Sequence, residues 1–272
     1  MKRIAIQGFS GCFHEQAARK FYSEPVQTVE CATFDGLFSA MREGRADAAV
    51  IAVENTTSGG LLPNYELIRK NGYKIKGEVF LRIEQNLMAL PGQKLEDIRE
   101  VRTHYMAINQ TREFFKQHPE IKLVESEDTA LSAGEIAAGK LRGVGAVAST
   151  LAAELYGLEI LCPGIETYKQ NFTRFLILDN SLEIPASEAD KVTLCFTLPH
   201  NPGSLAHVLT ILSFYGMNLT RIQSLPLPGR EWQYFFYVDI KYSDRLRYEQ
   251  SISAVRPLME DLSILGEYVA AI

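Results

Sequence analysis

Little in the 272-residue chain points to an oxidising compartment or a metal centre. Its four cysteines (Cys12, Cys31, Cys162 and Cys195) are scattered with no Cys-x-x-Cys pair, so neither a disulfide framework nor a zinc site is expected. Long apolar runs are missing: none approaches the roughly 18 residues of a membrane span. Before Gln7 the start offers only a short apolar stretch, too brief for the core of a signal peptide, and a cytoplasmic protein is expected. Positive charge is not in surplus either. Against 33 Asp plus Glu stand 28 Lys plus Arg, a net charge of -5, which argues against nucleic acid or anionic membrane as a partner. What remains is ordinary globular composition, 46% hydrophobic and 22% charged, at a length that suits about two domains.

Residues 1–180 alternate short apolar runs with helical patterns. Ile4–Gln7 reads as a strand, Phe13–Tyr22 as a helix, Val26–Ala32 as a strand, and Phe34–Glu43 as a helix closed by Gly44. Ala48–Val53 is uninterrupted apolar sequence, as in a strand covered on both faces. The pattern changes over residues 73–90, and a second alternating block follows, with helices at Met106–Gln117, Thr129–Lys140 and Leu151–Tyr156. This implies two α/β lobes, largely parallel sheets and an interlobe cleft. Residues 181–190 are polar, contain Pro185, and read as a linker. From 191 to 272 the order is βαββαβ, a ferredoxin-like split βαβ. The two prolines Pro226 and Pro228 favour a sheet edge or a bend at the end of the strand Asn218–Pro226.

Four segments carry polar chemistry at junctions. Gly8-Phe9-Ser10-Gly11 sits between a strand and a helix, where free N–H groups suit an anion; a plain βα turn is the alternative. Glu54-Asn55-Thr56-Thr57-Ser58-Gly59-Gly60 follows the buried strand at its carboxyl end, where open α/β sheets place ligands, and its neutral donors suit a carboxylate. Capping of the next helix is the alternative. Thr103-His104 with Gln110 lies at another junction, with His104 a general-base candidate or simply a packed side chain. Asn171-Phe172-Thr173-Arg174-Phe175 opens a strand. There Arg174 suits a bidentate carboxylate contact or a bracing role, and Thr173 can donate one directed hydrogen bond.

Together these segments resemble the prephenate dehydratase family. Gly8–Ala18 is similar to its Gly-x-x-Gly-x-Phe segment, Glu54–Gly59 to its Glu-Asn-(Ser/Thr)-x-x-Gly loop, Thr103–Gln110 to its Ser-His-x-x-x-x-x-Gln motif, and Asn171–Phe175 to its Asn-x-Thr-Arg-Phe signature. Ala148–Leu158 also follows the family pattern, and residues 191–272 resemble its ACT regulatory domain. Departures are Ala52 in place of proline, Thr103 in place of serine, His14 in place of a small hydroxyl residue, Ser204 in place of alanine, and Gln223-Ser224-Leu225-Pro226 in place of Glu-Ser-Arg-Pro.

The resemblance implies a two-lobed, periplasmic-binding-protein-like catalytic region over residues 1–180 and an ACT domain over 191–272. It implies loss of CO2 and water from prephenate to give phenylpyruvate, with no cofactor and no metal. Thr173 would be catalytic. Gly8, Gly11, Asn55, Thr56, Ser58, Gly59, Thr103, Gln110 and Arg174 would bind substrate. L-Phenylalanine would act as allosteric effector at Asn201, Gly203, Ser204 and Leu205, with Ser224 opposite, in a homodimer or homotetramer. A non-catalytic solute-binding protein and an arogenate dehydratase are the competing expectations.

Overall fold

The structure, a computed structural model, describes residues 1–23 and 25–271. In chain order its first elements are β1 (Lys2–Gln7), α1 (Phe13–Tyr22), β2 (Val26–Cys31), α2 (Phe34–Arg42), β3 (Ala48–Asn55) and β4 (Gly59–Gly60). Next come α3 (Leu62–Asn71), β5 (Ile75–Arg82), β6 (Asn86–Ala89), β7 (Glu100–His104), α4 (Tyr105–Gln110), α5 (Arg112–Lys116), β8 (Lys122–Ser126) and α6 (Thr129–Gly139). They are followed by β9 (Val144–Ala148), α7 (Thr150–Tyr156), β10 (Glu159–Cys162) and β11 (Phe172–Leu178). The C-terminal part adds β12 (Lys191–Thr197), α8 (Ser204–Phe214), β13 (Asn218–Pro226), β14 (Tyr234–Lys241), α9 (Arg245–Val255) and β15 (Glu260–Tyr268).

Two compact units result. One comprises residues 1–60 and 79–175, the other 61–78 and 176–272. The expected boundary near residue 180 is therefore incomplete: 61–78 associates with the C-terminal part. Residue 272 of the expected 191–272 span lies outside the described residues.

In the first unit, β1 pairs in parallel with both β2 and β3. Ala48–Val53 are all buried, as strand pairing with cover on both faces requires. Thr33 caps α2 by accepting the Gly36 N–H. The sheet order is β2-β1-β3-β11-β5, to which the first unit contributes residues 172–175 of β11 and 79–82 of β5, with β4 folded back antiparallel on the end of β3. A second sheet runs β10-β6-β9-β7-β8. There β7 is parallel to β8 and β9, but β6 is antiparallel to β9 and β10. This corrects the expectation of largely parallel sheets: strand direction after a crossover leaves no mark on the side-chain pattern. The single helix expected over Met106–Gln117 is two. At Thr111 the backbone leaves helical geometry (φ -108°, ψ 9°) and the hydroxyl donates to the Ala107 carbonyl at 2.7 Å.

In the second unit, β13-β14-β12-β15 form an antiparallel sheet with ferredoxin-like connectivity. As the prolines suggest, β13 is an edge strand. Val192, Leu194 and Phe196 pack with Val208 and Leu212 of α8 and Tyr248 and Ile252 of α9. Helix α3 brings Tyr65 to within 5.5 Å of the Tyr237 ring, places Arg69 4.1 Å from that of Phe235, and receives Arg221 over Tyr65 at 4.2 Å. These contacts explain why α3 leaves its neighbours in sequence. Residues 179–190 carry no helix or strand.

Candidate active site

Asn55, the last residue of β3, sets the geometry. Its Oδ1 accepts the backbone N–H groups of Thr57 (2.9 Å) and Ser58 (2.8 Å) together with the Thr57 hydroxyl (2.6 Å). Backbone N–H groups only donate, so this atom is the amide oxygen and Nδ2 faces the other way. Nδ2 donates to Asn171 Oδ1 at 2.8 Å and Thr173 Oγ1 at 2.9 Å. That makes Asn171 Oδ1 an acceptor and leaves Asn171 Nδ2 to donate to Gln110 Oε1 at 3.0 Å, an oxygen that also receives Gln85 Nε2 at 3.0 Å. Two main-chain donors thus orient four carboxamides in series. Gln110 Nε2 is turned toward the loop after β3, where it reaches Thr57 Oγ1 at 3.4 Å.

Thr173 gains a defined polarity from this chain. Its oxygen is occupied by an incoming N–H, and among the described residues no acceptor takes its hydroxyl hydrogen. Thr173 is buried, with 8% of its surface exposed. Thr56 fixes the strand opening beside it: its N–H donates to the Phe172 carbonyl, its hydroxyl donates to the Gln170 carbonyl, and the Thr56 hydroxyl oxygen accepts the Phe172 N–H, each at 2.9 Å. Ser58 and Gly59 are exposed on the same loop. The structure thus brings together Asn55, Gln110 and Thr173, three of the residues singled out from sequence. It adds Gln85, Thr57 and Asn171; the last two lay within recognised motifs, and Gln85 did not.

The other expected residues are engaged within the fold. Thr103 is fully buried, and its hydroxyl donates to the Val147 carbonyl at 2.6 Å, tying β7 to β9 rather than facing a ligand. His104 caps α4, its Nδ1 accepting the Met106 N–H. Along a strand successive side chains alternate, so Arg174 turns to the face opposite Thr173. It is buried there, with its guanidinium 6.0 Å from the Phe80 ring. Gly8 and Gly11 do not offer free amides. The Gly8 N–H donates to the Cys31 carbonyl and the Gly11 N–H to the buried Glu15 carboxylate. A Cβ on Gly11 (φ 90°) would stand 2.8 Å from the Ala152 backbone, so glycine here lets the first lobe approach α7 of the second. Ser149 and Tyr156 hold the Gly11 and Ser10 carbonyls from that side.

Burial shapes the titrating groups nearby. It lowers His14 to a pKa of about 4. The neutral ring accepts the Ala52 N–H through Nε2 at 3.3 Å and packs edge-on against Phe34 and Phe175. Burial pushes the Cys12 thiol up to about 12, which removes it as a nucleophile at neutral pH. Asp128, which caps α6, is also raised, chiefly by burial. Among the described residues no cluster of three or more His, Cys, Asp or Glu is placed to hold a metal, and no helix is long and apolar enough to cross a membrane.

The expected effector residues lie in the other unit. Asn201–Leu205 form the turn from β12 into α8, with Gly203 (φ 85°) as its N-cap, and Ser224 is exposed on the edge strand β13.

Comparison with known proteins gives this geometry a lineage. Residues 4–182 match the family model described as prephenate dehydratase. A bifunctional chorismate mutase/prephenate dehydratase of Aquifex aeolicus is 32% identical over 99% of this chain and 74% of its own length. Arogenate dehydratase 2 of Petunia hybrida is 34% identical over 98% and 71%. Among solved structures, GqqA, described as a novel type of quorum quenching acylase, superposes with a TM-score of 0.89 at 32% identity, covering 99% of this chain and 98% of that one. Prephenate dehydratase of Arthrobacter aurescens in complex with L-Phe superposes at 0.84 with 27% identity, covering 98% and 89%. The chain belongs to the prephenate dehydratase family, whose members are carbon–oxygen lyases.

Proposed function

We propose that this chain converts prephenate to phenylpyruvate, with Thr173 as the catalytic hydrogen-bond donor. The polarity of Thr173 carries this reading. In prephenate the C–CO2 bond breaks, its electron pair completes the aromatic ring, and the ring hydroxyl leaves. One proton taken up at that oxygen balances the products CO2, water and phenylpyruvate. Aromatisation supplies the driving force, so the protein's task is to orient the C–O bond and stabilise the departing oxygen. Thr173 Oγ accepts the Asn55 N–H, and its own hydrogen is then the one to donate to that oxygen. A threonine hydroxyl is too weak an acid to release its proton freely, so it donates a hydrogen bond or relays a proton. Gln110 Nε2 and the exposed loop at Ser58 and Gly59 supply neutral donors for the carboxylates.

The same polarity disfavours an acylase reading. Acyl transfer needs a base that accepts the nucleophile's proton. The group beside Thr173 Oγ is the donor Asn55 Nδ2. Arogenate remains the second reading, since curated relatives at 34% identity carry that name. Purified protein is incubated separately with prephenate and arogenate while phenylpyruvate and phenylalanine are followed. Turnover of prephenate is expected; turnover of arogenate alone reassigns the substrate, and inertness with both refutes the reading.

Residues 191–271 would act as an ACT-type regulatory unit that binds L-phenylalanine at Asn201, Gly203, Ser204, Leu205 and Ser224 and pairs through the open edge of β13 in a homodimer or homotetramer. Its βαββαβ topology and the L-Phe complex of a relative support this. Activity and sedimentation with and without L-phenylalanine test it, and no change in either counts against it.

A further inference from the structure

We infer that Gln85 is a positioning residue for the elimination: its side-chain N–H fixes the direction of the Gln110 amide, and with it the donor that Gln110 presents to substrate. The inference rests on the reading of the site given above.

Gln85 lies in the crossover between β5 and β6, outside any helix or strand, and only 3% of it is exposed. Its backbone is held at both ends. Its N–H donates to the Glu166 carboxylate at 3.0 Å, and its carbonyl accepts the Ile165 N–H at 2.7 Å. The side chain then spans to Gln110 Oε1 at 3.0 Å. Gln110 is clamped from the same crossover pair, because its main-chain carbonyl accepts the Thr167 N–H at 2.8 Å. With Asn171 Nδ2 also on Gln110 Oε1, two donors hold one oxygen, and rotating the amide would set N–H against N–H twice.

One feature is hard to explain by packing alone. Gln85 Oε1 is buried and has no hydrogen-bond partner among the described residues. An unsatisfied buried acceptor is destabilising, and an apolar side chain of the same length would avoid it. The amide is retained at that cost, and what it delivers is the N–H to Gln110. Preorganised donors act only when aimed, so loosening this one lowers turnover without removing any group that touches substrate.

Two variants of similar size test this. Gln85→Met removes the donor and the orphan acceptor together. It is expected to unfold at the same temperature as wild type or higher, while kcat falls about tenfold or more, a part of the roughly 10²–10³ lost with a direct donor. Gln85→Glu replaces the donor with an acceptor when ionised. Around it lie Glu84 and Arg82 on its own segment and Glu166 on the returning one, with Arg82 3.5 Å from the Glu166 carboxylate. Protonated, the new carboxyl donates to Gln110 Oε1 again, so the ratio of variant to wild-type kcat should rise as pH falls. Near-native kcat in Gln85→Met, or a flat ratio in Gln85→Glu, overturns the role. Should wild type act on neither prephenate nor arogenate, the reading of the site fails, and the positioning claim is decided by NMR. The Gln110 side-chain amide signal, assigned by its loss in Gln110→Glu, must then shift in Gln85→Met, and an unmoved signal refutes it.

Discussion

At the scale of single residues, what decides function is which lone pair or hydrogen each side chain has left over. Thr173 has a hydrogen left over, so Thr173→Val should fold normally and lose on the order of 10²–10³ in kcat with a smaller change in KM; steady-state kinetics on prephenate check this. Thr103 has nothing left over, because its hydroxyl is bonded to Val147 O. Thr103→Val strands that buried carbonyl and should cost about 1–3 kcal/mol of stability while kcat changes little, and Thr103→Ser should restore stability in chemical denaturation. His14 is neutral when folded, with a pKa near 4 against 6.5 when exposed. Between those values the unfolded chain binds more protons than the folded one, so stability falls as pH drops from about 6.5 toward 4, by on the order of 3 kcal/mol. Comparing denaturation of wild type and His14→Gln across that window isolates the effect, and the variant should show a shallower decline. The two departures from the family pattern at positions 14 and 52 meet here: a proline at 52 has no N–H, and the Ala52 N–H is the one His14 accepts.

Elements were legible in sequence where composition and period agreed, and illegible where the deciding contact is remote. The unbroken apolar run Ala48–Val53 announced a covered strand, Gly44 marked the end of α2, and Pro226 and Pro228 pointed to an edge or a bend where β13 ends. Nothing in Leu87–Ala89 states that β6 runs against its neighbours, and the fracture between α4 and α5 depends on one Thr111 hydroxyl turning back on Ala107. The site divides in the same way. Asn55, Gln110 and Thr173 stood in recognisable motifs, whereas Gln85 sits in a crossover with no periodicity, and its role exists only once Gln110 has been folded against it. The glycines of the turn at Gly8–Gly11 suited a ligand cradle or a plain βα turn alike, and the close approach of Gly11 to Ala152 is visible only in the fold. Gly11→Ala should therefore destabilise by about 2–5 kcal/mol through positive φ and collision with Ala152, seen as a lowered Tm.

For the whole molecule, the sequence conveyed the order of its parts better than their grouping. Helix α3 lies among the early elements of the chain but joins the C-terminal unit through Tyr65 and Arg69. That unit also encloses an ion pair, Lys191 Nζ to the Glu78 carboxylate at 2.8 and 2.9 Å, with the Ala271 N–H as a further donor to Glu78. Removing one charge takes away the opposite charge that balances the other in a buried setting. Lys191→Met should cost about 3–5 kcal/mol, and Glu78→Gln combined with it should recover most of the loss; a double-mutant cycle by denaturation measures the coupling. The pair also constrains how this protein can diverge. Each partner is only a tolerable change once the other has already gone, so drift at either position must pass through a crippled intermediate, and two distant codons are kept in step by a bond that forms only after folding.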